Sequence, residues 1–309
     1  MRTILCLVLC CLALTGAPPK RARGVLRVPF WTDARAAGAP PLTAKELTAK
    51  LDGDAARVIS LRGPQDGLVV MLVLDLAGDP PAAEAAKKAL GASLSEMPAN
   101  CYFALLRAQD GLRALVDPTP RRAALQTAIE SLPVSGKAGM LDTLEPASQI
   151  AAAIMDKSMV RVALLYVTDS SIYNYQDDYT NPVINSSDSR DMSRVFPEGL
   201  IKDKISKLAT NLSAHSPPLF VVHLSYQSDR LNEAYQSGLM SLAAESGGAS
   251  AFCRSMAEIP ASIEKILRII AGSYSAEIEL PRKPLKSVQL ELEGEARLNY
   301  RTRFTFKEK

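Results

Sequence analysis

The chain has 309 residues, 47% of them hydrophobic and 22% charged, with 36 Lys and Arg against 33 Asp and Glu. This composition is close to the globular average and excludes a disordered, collagen-like or coiled-coil chain. The net charge of +3 is too small to indicate a nucleic-acid-binding protein, in which a basic face should dominate.

The first 23 residues are predicted to be an export signal. Arg2 precedes an unbroken apolar run from Ile4 to Leu14, and Thr15-Gly16-Ala17 offers small residues for cleavage. The run is shorter than the roughly 20 residues that span a bilayer. We therefore expect a secreted or periplasmic protein with no transmembrane span in the mature chain; a buried strand or an uncleaved anchor is the alternative.

Cysteine usage agrees with this prediction. Cys11 follows Cys10 and Leu9 rather than a small residue, so lipid anchoring is not expected. Cys101 and Cys253 remain in the mature chain, and no CxxC or Cys/His cluster offers a zinc site.

Residues 24–65 are predicted to be a linker followed by a small hairpin. Residues 18–41 are rich in Pro, Ala and Arg, which is typical of a linker. The turn pair Asp52-Gly53 then separates Thr48–Leu51 from Arg57–Leu61.

Residues 66–274 alternate between strands and helices. Apolar runs such as Leu68–Leu74 and Val160–Val167 indicate strands covered on both faces. Gly111 makes a turn into an antiparallel strand at Leu112–Val116, and Thr119 is predicted to cap a helix that begins at Pro120. The pattern predicts an α/β fold with a doubly wound, mostly parallel sheet and helices on both faces. The further strands are predicted at 102–106, 219–224 and 249–253, and the further helices at 81–97, 141–155, 200–212, 231–244 and 259–270.

Residues 275–309 differ, because they hold strands of alternating polarity and no helix. The three runs are Ala276–Leu280, Val288–Leu292 and Leu298–Phe306. They predict an antiparallel β segment, so small β additions are expected at both ends of the α/β domain.

Two predicted strands end in an aspartate, at Asp75 and Asp169. Ligands of open α/β sheets bind beyond the carboxyl ends of the strands, so the two carboxylates are candidates for a hard-cation site. Each aspartate could instead begin a turn or cap a helix, which is common for Asp. From the aspartates alone, the turn or cap is the favoured interpretation.

The element order and the run Leu164-Leu165-Tyr166-Val167-Thr168-Asp169 resemble the von Willebrand factor type A domain, in particular its bacterial secreted members, over about residues 42–280. The resemblance implies a protein-binding module with a metal-ion-dependent adhesion site at the top of the sheet. The two strand-end aspartates match the two aspartates of that site. Ala77 and Asp79 occupy its two serine positions, and its threonine falls at or near Ala138.

The site implied by the resemblance is therefore degenerate. Ala77 and Ala138 supply no ligand oxygen, and a site of Asp75, Asp79 and Asp169 with one divalent ion would carry a net charge of about −1. We expect no cofactor; a weak Mg²⁺ or Ca²⁺ site formed by these three aspartates is the alternative. The fold also implies that Cys101 and Cys253 lie toward opposite edges of the sheet and stay unpaired.

No complete catalytic motif occurs: the sequence has no G-x-S-x-G, P-loop, H-E-x-x-H or G-x-G-x-x-G. Of the two histidines, His215 and His223, the second lies in an apolar strand and is expected to be a core residue. The loop Ser170–Arg194 is rich in Tyr, Asn and Ser, which is typical of recognition surfaces but also fits a solvated loop. Its Asp177-Asp178 pair is a further Ca²⁺ candidate.

The leading interpretation is an exported, non-enzymatic module that recognises a protein partner through the top of the sheet. The alternative is a structural or assembly component of a cell-envelope complex, whose terminal β segments pair with a partner's strands.

Overall fold

The computed structural model describes residues 24–33, 40–175, 197–214, 217–281 and 286–306. The predicted export signal, His215, Asp177-Asp178 and most of the tyrosine-rich loop lie outside these ranges. The predictions that concern them stay predictions.

A six-stranded sheet forms the centre of the chain, in the order β10-β9-β8-β5-β6-β7. The first five strands in this order are parallel, and β7 at the edge is antiparallel to β6. This confirms the predicted fold class and the antiparallel edge strand. The strands are β5 Leu68–Asp75, β6 Cys101–Arg107, β7 Arg113–Thr119, β8 Arg161–Thr168, β9 Leu219–His223 and β10 Ser250–Phe252.

Helices cover both faces of this sheet because β5 is apolar on both faces. Leu68, Val70 and Leu72 lie on one face of the sheet and pack in a core with α1, α2 and α6. Val69 and Met71 lie on the opposite face and pack in a core with α3, α4 and α5. The helices are α1 Pro80–Glu96, α2 Arg122–Glu130, α3 Met140–Lys157, α4 Pro197–Leu212, α5 Arg230–Glu245 and α6 Ile259–Ala271.

The start of α2 was predicted two residues too early. Strand β7 continues through Thr119, which pairs with Phe103, so the helix begins at Arg122 rather than at Pro120. The Thr119 hydroxyl does accept a hydrogen bond, but from the N–H of Arg121 (3.1 Å), in the turn that precedes the helix.

The β additions predicted at both ends of the α/β domain are present, and together they form one β unit. Two four-stranded sheets, β13-β1-β11-β4 and β14-β12-β2-β3, enclose a common core that includes Val28, Ile278 and Leu290. The strands are β1 Val25–Thr32, β2 Thr48–Leu51, β3 Asp54–Ala56, β4 Val58–Arg62, β11 Tyr274–Glu279, β12 Ser287–Glu293, β13 Leu298–Tyr300 and β14 Arg303–Thr305.

The prediction of a linker before residue 42 is wrong for Val25–Thr32. This segment is strand β1, with Leu26, Val28 and Phe30 alternately buried, and it pairs with β11 on one side and β13 on the other. The predicted hairpin turn at Asp52-Gly53 is present, but its partner strand is Asp54–Ala56. The expected partner, Val58–Arg62, pairs with β11 instead.

The edges of the β unit are closed by strands that pass from one sheet to the other. The chain runs from β3 to β4 through Arg57, whose carbonyl accepts the Glu279 N–H (2.9 Å). It runs from β13 to β14 through Thr302, whose carbonyl accepts the Leu290 N–H (2.7 Å). Such corners are typical of closed, barrel-like sandwiches.

Three arginines join the β unit to the α/β unit. Arg161, which is buried, donates to the carbonyls of four residues at the two points where the chain crosses between the units: Pro64, Asp66, Ala271 and Ser273 (2.8–3.1 Å). Arg27 donates to Met155 O and Ser158 O at the end of α3. Arg301 donates to Leu212 O at the end of α4 (2.8 Å). Each therefore places positive charge at a helix C-terminus, where it is favourable.

Candidate functional site at the top of the sheet

The carboxyl ends of β5 and β8 meet because these strands are parallel neighbours in register, with Asp75 opposite Thr168. The Asp169 N–H donates to Asp75 O (3.3 Å). The structure therefore brings together the two strand-end aspartates that the sequence singled out.

Asp75 is fully buried and caps helix α3. Its carboxylate accepts the N–H groups of Gly139 (2.9 Å) and Met140 (3.1 Å) and the hydroxyl of Thr168 (3.3 Å). Burial raises the pKa of Asp75 from 3.8 to about 7, the nearby Asp169 charge adds to this rise, and the three donors offset only part of it. The favoured sequence interpretation, a helix cap, describes this side chain.

Asp169 holds the loop that follows β5. Its carboxylate accepts three successive N–H groups, those of Ala77 (2.8 Å), Gly78 (3.0 Å) and Asp79 (2.9 Å). Consecutive N–H groups that converge in this way form an anion-binding concavity. Burial of the carboxylate raises its pKa above the usual range, and the three N–H groups lower it again in part.

Asp79 is the N-cap of helix α1. Its side chain accepts the Ala82 N–H (3.0 Å), and Pro80 and Pro81 occupy the first turn, where a missing N–H costs nothing. The charge of Asp79 acts on Asp169 and raises its pKa. All three candidate metal ligands thus adjoin one another, and each accepts hydrogen bonds from the backbone.

The residues present do not fit the divalent ion that the resemblance implies. Within the described residues, no group of three or more His, Cys, Asp and Glu side chains is arranged to hold a metal. The backbone N–H groups around Asp75 and Asp169 direct partial positive charge at the carboxylates where an ion would sit. Neighbouring hydroxyls are also engaged: Ser170 Oγ donates to Asp75 O (3.4 Å) and Ser171 Oγ to Asn174 Oδ1 (3.1 Å).

Asn174 and His223 fix the loop after β8, and sequence analysis gave Asn174 no individual role. Asn174 Oδ1 accepts the Ser171 N–H (2.7 Å), and Asn174 O accepts the Ala138 N–H (2.9 Å). His223 Nε2 donates to Ser170 O (3.1 Å) while its Nδ1 accepts the Ser225 N–H (3.4 Å). Burial lowers the pKa of His223 to about 4, so the ring is neutral at pH 7. It is a satisfied core histidine, as predicted.

The described tyrosines of the loop have different roles. Tyr173 is 51% exposed, and its hydroxyl donates to Asp229 Oδ1 (2.9 Å). Tyr175 is fully buried, and its hydroxyl accepts the Leu141 N–H (3.0 Å). The prediction of a tyrosine recognition surface is therefore wrong for Tyr175, which packs against Tyr235 under the site. The sequence gives no signal for the burial of Tyr175, because buried and exposed residues do not alternate regularly in a loop.

A pocket of about 270 Å³ opens at this end of the sheet. Its lining is polar and consists of Gly78, Asp79, Pro80, Asp169, Ser171, Asn174, Ser225 and Gln227. A nucleophile needs an adjacent base, but the one histidine described here binds a carbonyl rather than a hydroxyl. Among the described residues of this site, no histidine is hydrogen-bonded to a hydroxyl.

No protein-family model and no curated protein matches the chain. Solved structures do match. A von Willebrand factor type A protein from Catenulispora acidiphila is 11% identical, over 93% of this chain and 74% of that one, with a TM-score of 0.47. The chain is thus similar to a protein of the type that its sequence resembles.

Two other similar structures are a membrane protein and a minor pilin. An aerotolerance-related membrane protein from Bacteroides fragilis is 13% identical, over 65% of this chain and 99% of that one, with a TM-score of 0.41. The PilB minor pilin from Streptococcus sanguinis is 12% identical, over 67% and 62%, with a TM-score of 0.46. Identities and TM-scores this low carry no argument about function.

None of the helices in the described ranges is long and apolar enough to cross a membrane.

Proposed function

We propose that this chain is an exported, non-enzymatic module that binds a protein partner through the top of its six-stranded sheet, without a divalent cation. The observation that carries the proposal is the state of the three aspartates. Asp75 and Asp169 are buried beneath this surface and Asp79 lies at it, and all three are held by backbone N–H groups.

Charge balance supports independence from metal. The N-terminus of a helix acts as roughly half a positive charge, and α1 and α3 both direct their N-termini at these carboxylates. The pKa of Asp75 is about 7. Near neutral pH, a bound proton therefore neutralises the part of its negative charge that the helix N-terminus does not compensate. An arriving cation would have to compete with that proton and with the N–H donors.

The surface chemistry supports a protein as the ligand. The pocket is shallow and polar, and the exposed Tyr173 and Tyr226 stand beside it, on the two loops that supply Asn174 and Gln227. Tyrosine is enriched at protein interfaces because it combines a large apolar area with a polar end. Export rests on the sequence of residues 1–23.

The alternative, assembly through the terminal β segments, has less support. In the described residues, β1, β2, β11 and β12 pair with a strand on each side, and the remaining strands turn the corners between the sheets. A partner strand would therefore find few free N–H and C=O groups. Removing residues 276–309 would take away the central strand β12 and most of β11, so the β unit would unfold. A loss of partner binding in that truncated chain would therefore not show that the terminal strands bind the partner.

The test is capture of partner proteins from an envelope extract on the immobilised chain, with and without a blocked pocket. Gln227→Trp fills the mouth of the pocket from an exposed position. Gln149→Trp, at an exposed position on α3, is the matched control. Each capture is done in EDTA and again in millimolar Mg²⁺, and captured proteins are quantified by mass spectrometry.

We expect a defined partner to be captured equally in EDTA and Mg²⁺, retained by Gln149→Trp and lost with Gln227→Trp. Capture that requires Mg²⁺ would overturn the metal-free part of the proposal. Capture that survives Gln227→Trp would overturn the proposed surface.

A further inference from the structure

The loops that follow β9 and β10 carry three exposed side chains, Tyr226, Arg254 and Met256, and Tyr226 lies next to the pocket. Tyr226 is 36% exposed and Met256 56% exposed. Tyr226 stands between the pocket residues Ser225 and Gln227, and its N–H donates to Cys253 O (2.8 Å). The backbone of the two loops is therefore joined at this point.

The guanidinium of Arg254 lies over the ring of Tyr226, with its central carbon 5.6 Å from the ring centroid. This cation–π contact favours the observed orientation of the guanidinium. The backbone beneath it is also fixed, because the Arg254 N–H donates to Glu258 Oε2 (3.0 Å) and the Ser255 hydroxyl donates to Glu258 Oε1 (3.4 Å). Glu258 is thus engaged with this turn.

Within the described ranges, the Arg254 guanidinium has no carboxylate at ion-pair distance. Some other exposed arginines are paired, as Arg230 is with Glu198 and Arg268 with Glu264, whereas Arg113, like Arg254, has no ion pair within the described ranges. The nearby Asp229 carboxylate is engaged by Tyr173 and by the N-terminus of α5. Arg254 therefore presents an oriented positive charge to whatever covers the pocket.

Building on the proposed function, we propose that Arg254 binds a carboxylate of the protein partner, while Tyr226 and Met256 bind an apolar residue next to that carboxylate. A guanidinium matches a carboxylate through two parallel hydrogen bonds, and stacking on an aromatic ring reduces the freedom lost on binding. Tyr, Arg and Met are all enriched at interfaces. The partner segment is thus acidic with an adjoining apolar side chain.

The probe is a displayed random-peptide library, selected on the immobilised full chain in EDTA. Affinities of the selected peptides are then measured by fluorescence anisotropy. The variants are Arg254→Gln, Arg254→Glu and Tyr226→Ala. Arg113→Gln, on the exposed β7 edge, and Tyr102→Ala, which is 42% exposed at the start of β6, are the matched controls.

We expect enriched peptides to carry Asp or Glu beside an apolar residue. Arg254→Gln should weaken them by on the order of tenfold, which is the discrimination expected of one oriented ion pair. Tyr226→Ala should weaken them several-fold, and both controls should leave affinity unchanged. Binding to Arg254→Glu should return when the acidic residue of the peptide is replaced by Arg.

Two results would overturn the inference and are distinguishable. Peptides that are blocked by Gln227→Trp but unaffected by Arg254→Gln would refute this role of Arg254 and leave the proposed function intact. Peptides unaffected by both substitutions, or a selection that enriches none, would count against the proposed binding surface as well.

Discussion

Replacing Asp75 with Asn should change how the stability of this protein depends on pH. The carboxylate is fully buried, and its pKa in the folded chain is about 7, against 3.8 as its ordinary value. The folded state therefore holds a proton between these two pH values that the unfolded state releases. Stability from this group is fully present below pH 3.8 and is lost as the pH rises through about 7.

The size of the effect follows from the shift. One pKa unit corresponds to about 1.4 kcal/mol, so the whole window is worth roughly 4 kcal/mol and the interval from pH 5 to pH 8 roughly 2.5 kcal/mol. His223 acts in the opposite direction, because burial lowers its pKa to about 4 and stability is lost below pH 6.5. Between pH 5 and 6.5, the Asp75 contribution to the unfolding free energy falls as the pH rises and the His223 contribution increases. The unfolding free energy of the wild type alone would therefore reveal neither contribution.

The difference between wild type and Asp75→Asn removes the contribution of His223. Urea unfolding followed by far-ultraviolet circular dichroism, in EDTA from pH 5 to pH 8, gives the unfolding free energy of each protein. We expect the wild type to lose about 2.5 kcal/mol relative to the variant as the pH rises across this interval. The variant also has a pH-independent cost, roughly 1–3 kcal/mol, because its amide leaves one N–H donor at the start of α3 unsatisfied.

A matched control is Asp203→Asn, which removes a carboxylate exposed on α4. Its stability should follow that of the wild type in parallel across the pH range. If Asp75→Asn also runs parallel to the wild type, the buried, proton-binding carboxylate described here does not exist in solution.

Further expectations concern metal, packing and thiols. Millimolar Mg²⁺ should leave the melting temperature in calorimetry unchanged, since a bound ion would raise it by mass action; Ca²⁺, which accepts irregular shells, should shift it slightly at most. Arg161→Met should cost roughly 3 kcal/mol or more in urea unfolding, because the four carbonyls at the two chain crossings lose their donor, and Arg161→Lys should recover part of this. Gly139→Ala should cost a similar amount, because its Cβ would lie 1.9 Å from Ala108 O. Thiol titration of the unfolded, unreduced protein should find Cys101 and Cys253 free, as in the structure.

The α/β unit could be predicted from local sequence because its strands are buried on both faces. All eight residues of β5 and of β8 are buried, and each strand contains a continuous apolar run, Leu68–Leu74 and Val162–Val167, with an aspartate at or just after the strand end. Parallel neighbours must end at the same edge of the sheet. The sequence could therefore place Asp75 and Asp169 at one edge of the sheet, but only the structure shows that β5 and β8 are direct neighbours.

The β unit could not be predicted in the same way, because its partners are far apart in the sequence. Val28 pairs with Ala276, and Lys50 pairs with Glu291. The alternation of Leu26, Val28 and Phe30 is present in the sequence, but Pro29 and the surrounding Pro, Ala and Arg residues favoured a linker. A terminal strand of this kind is stabilised by pairing with a strand near the other end of the chain, and local sequence carries no information about that pairing.

The roles of Asp75 and Asp169 depend on backbone N–H groups, whose positions cannot be identified from the sequence. Their partners are backbone N–H groups at residues 77–79 and 139–140, which every residue except proline carries. The sequence offered both a turn or cap and a cation ligand for Asp75 and Asp169. Only the direction of those N–H groups distinguishes the two.

The distribution of charge along the helices supports the proposal that the top of this sheet needs no added ion. Helix α3 has Asp75 at its N-terminus and Arg27 at its C-terminus, and α4 ends on Arg301. Acidic groups thus compensate the helix ends at the top, and arginines compensate the opposite ends at the β unit. A cation bound between the three aspartates would compete with these helix ends for the same carboxylates. The oriented charge of Arg254 is not used in this compensation, and this is why we assign recognition to Arg254 rather than to a metal.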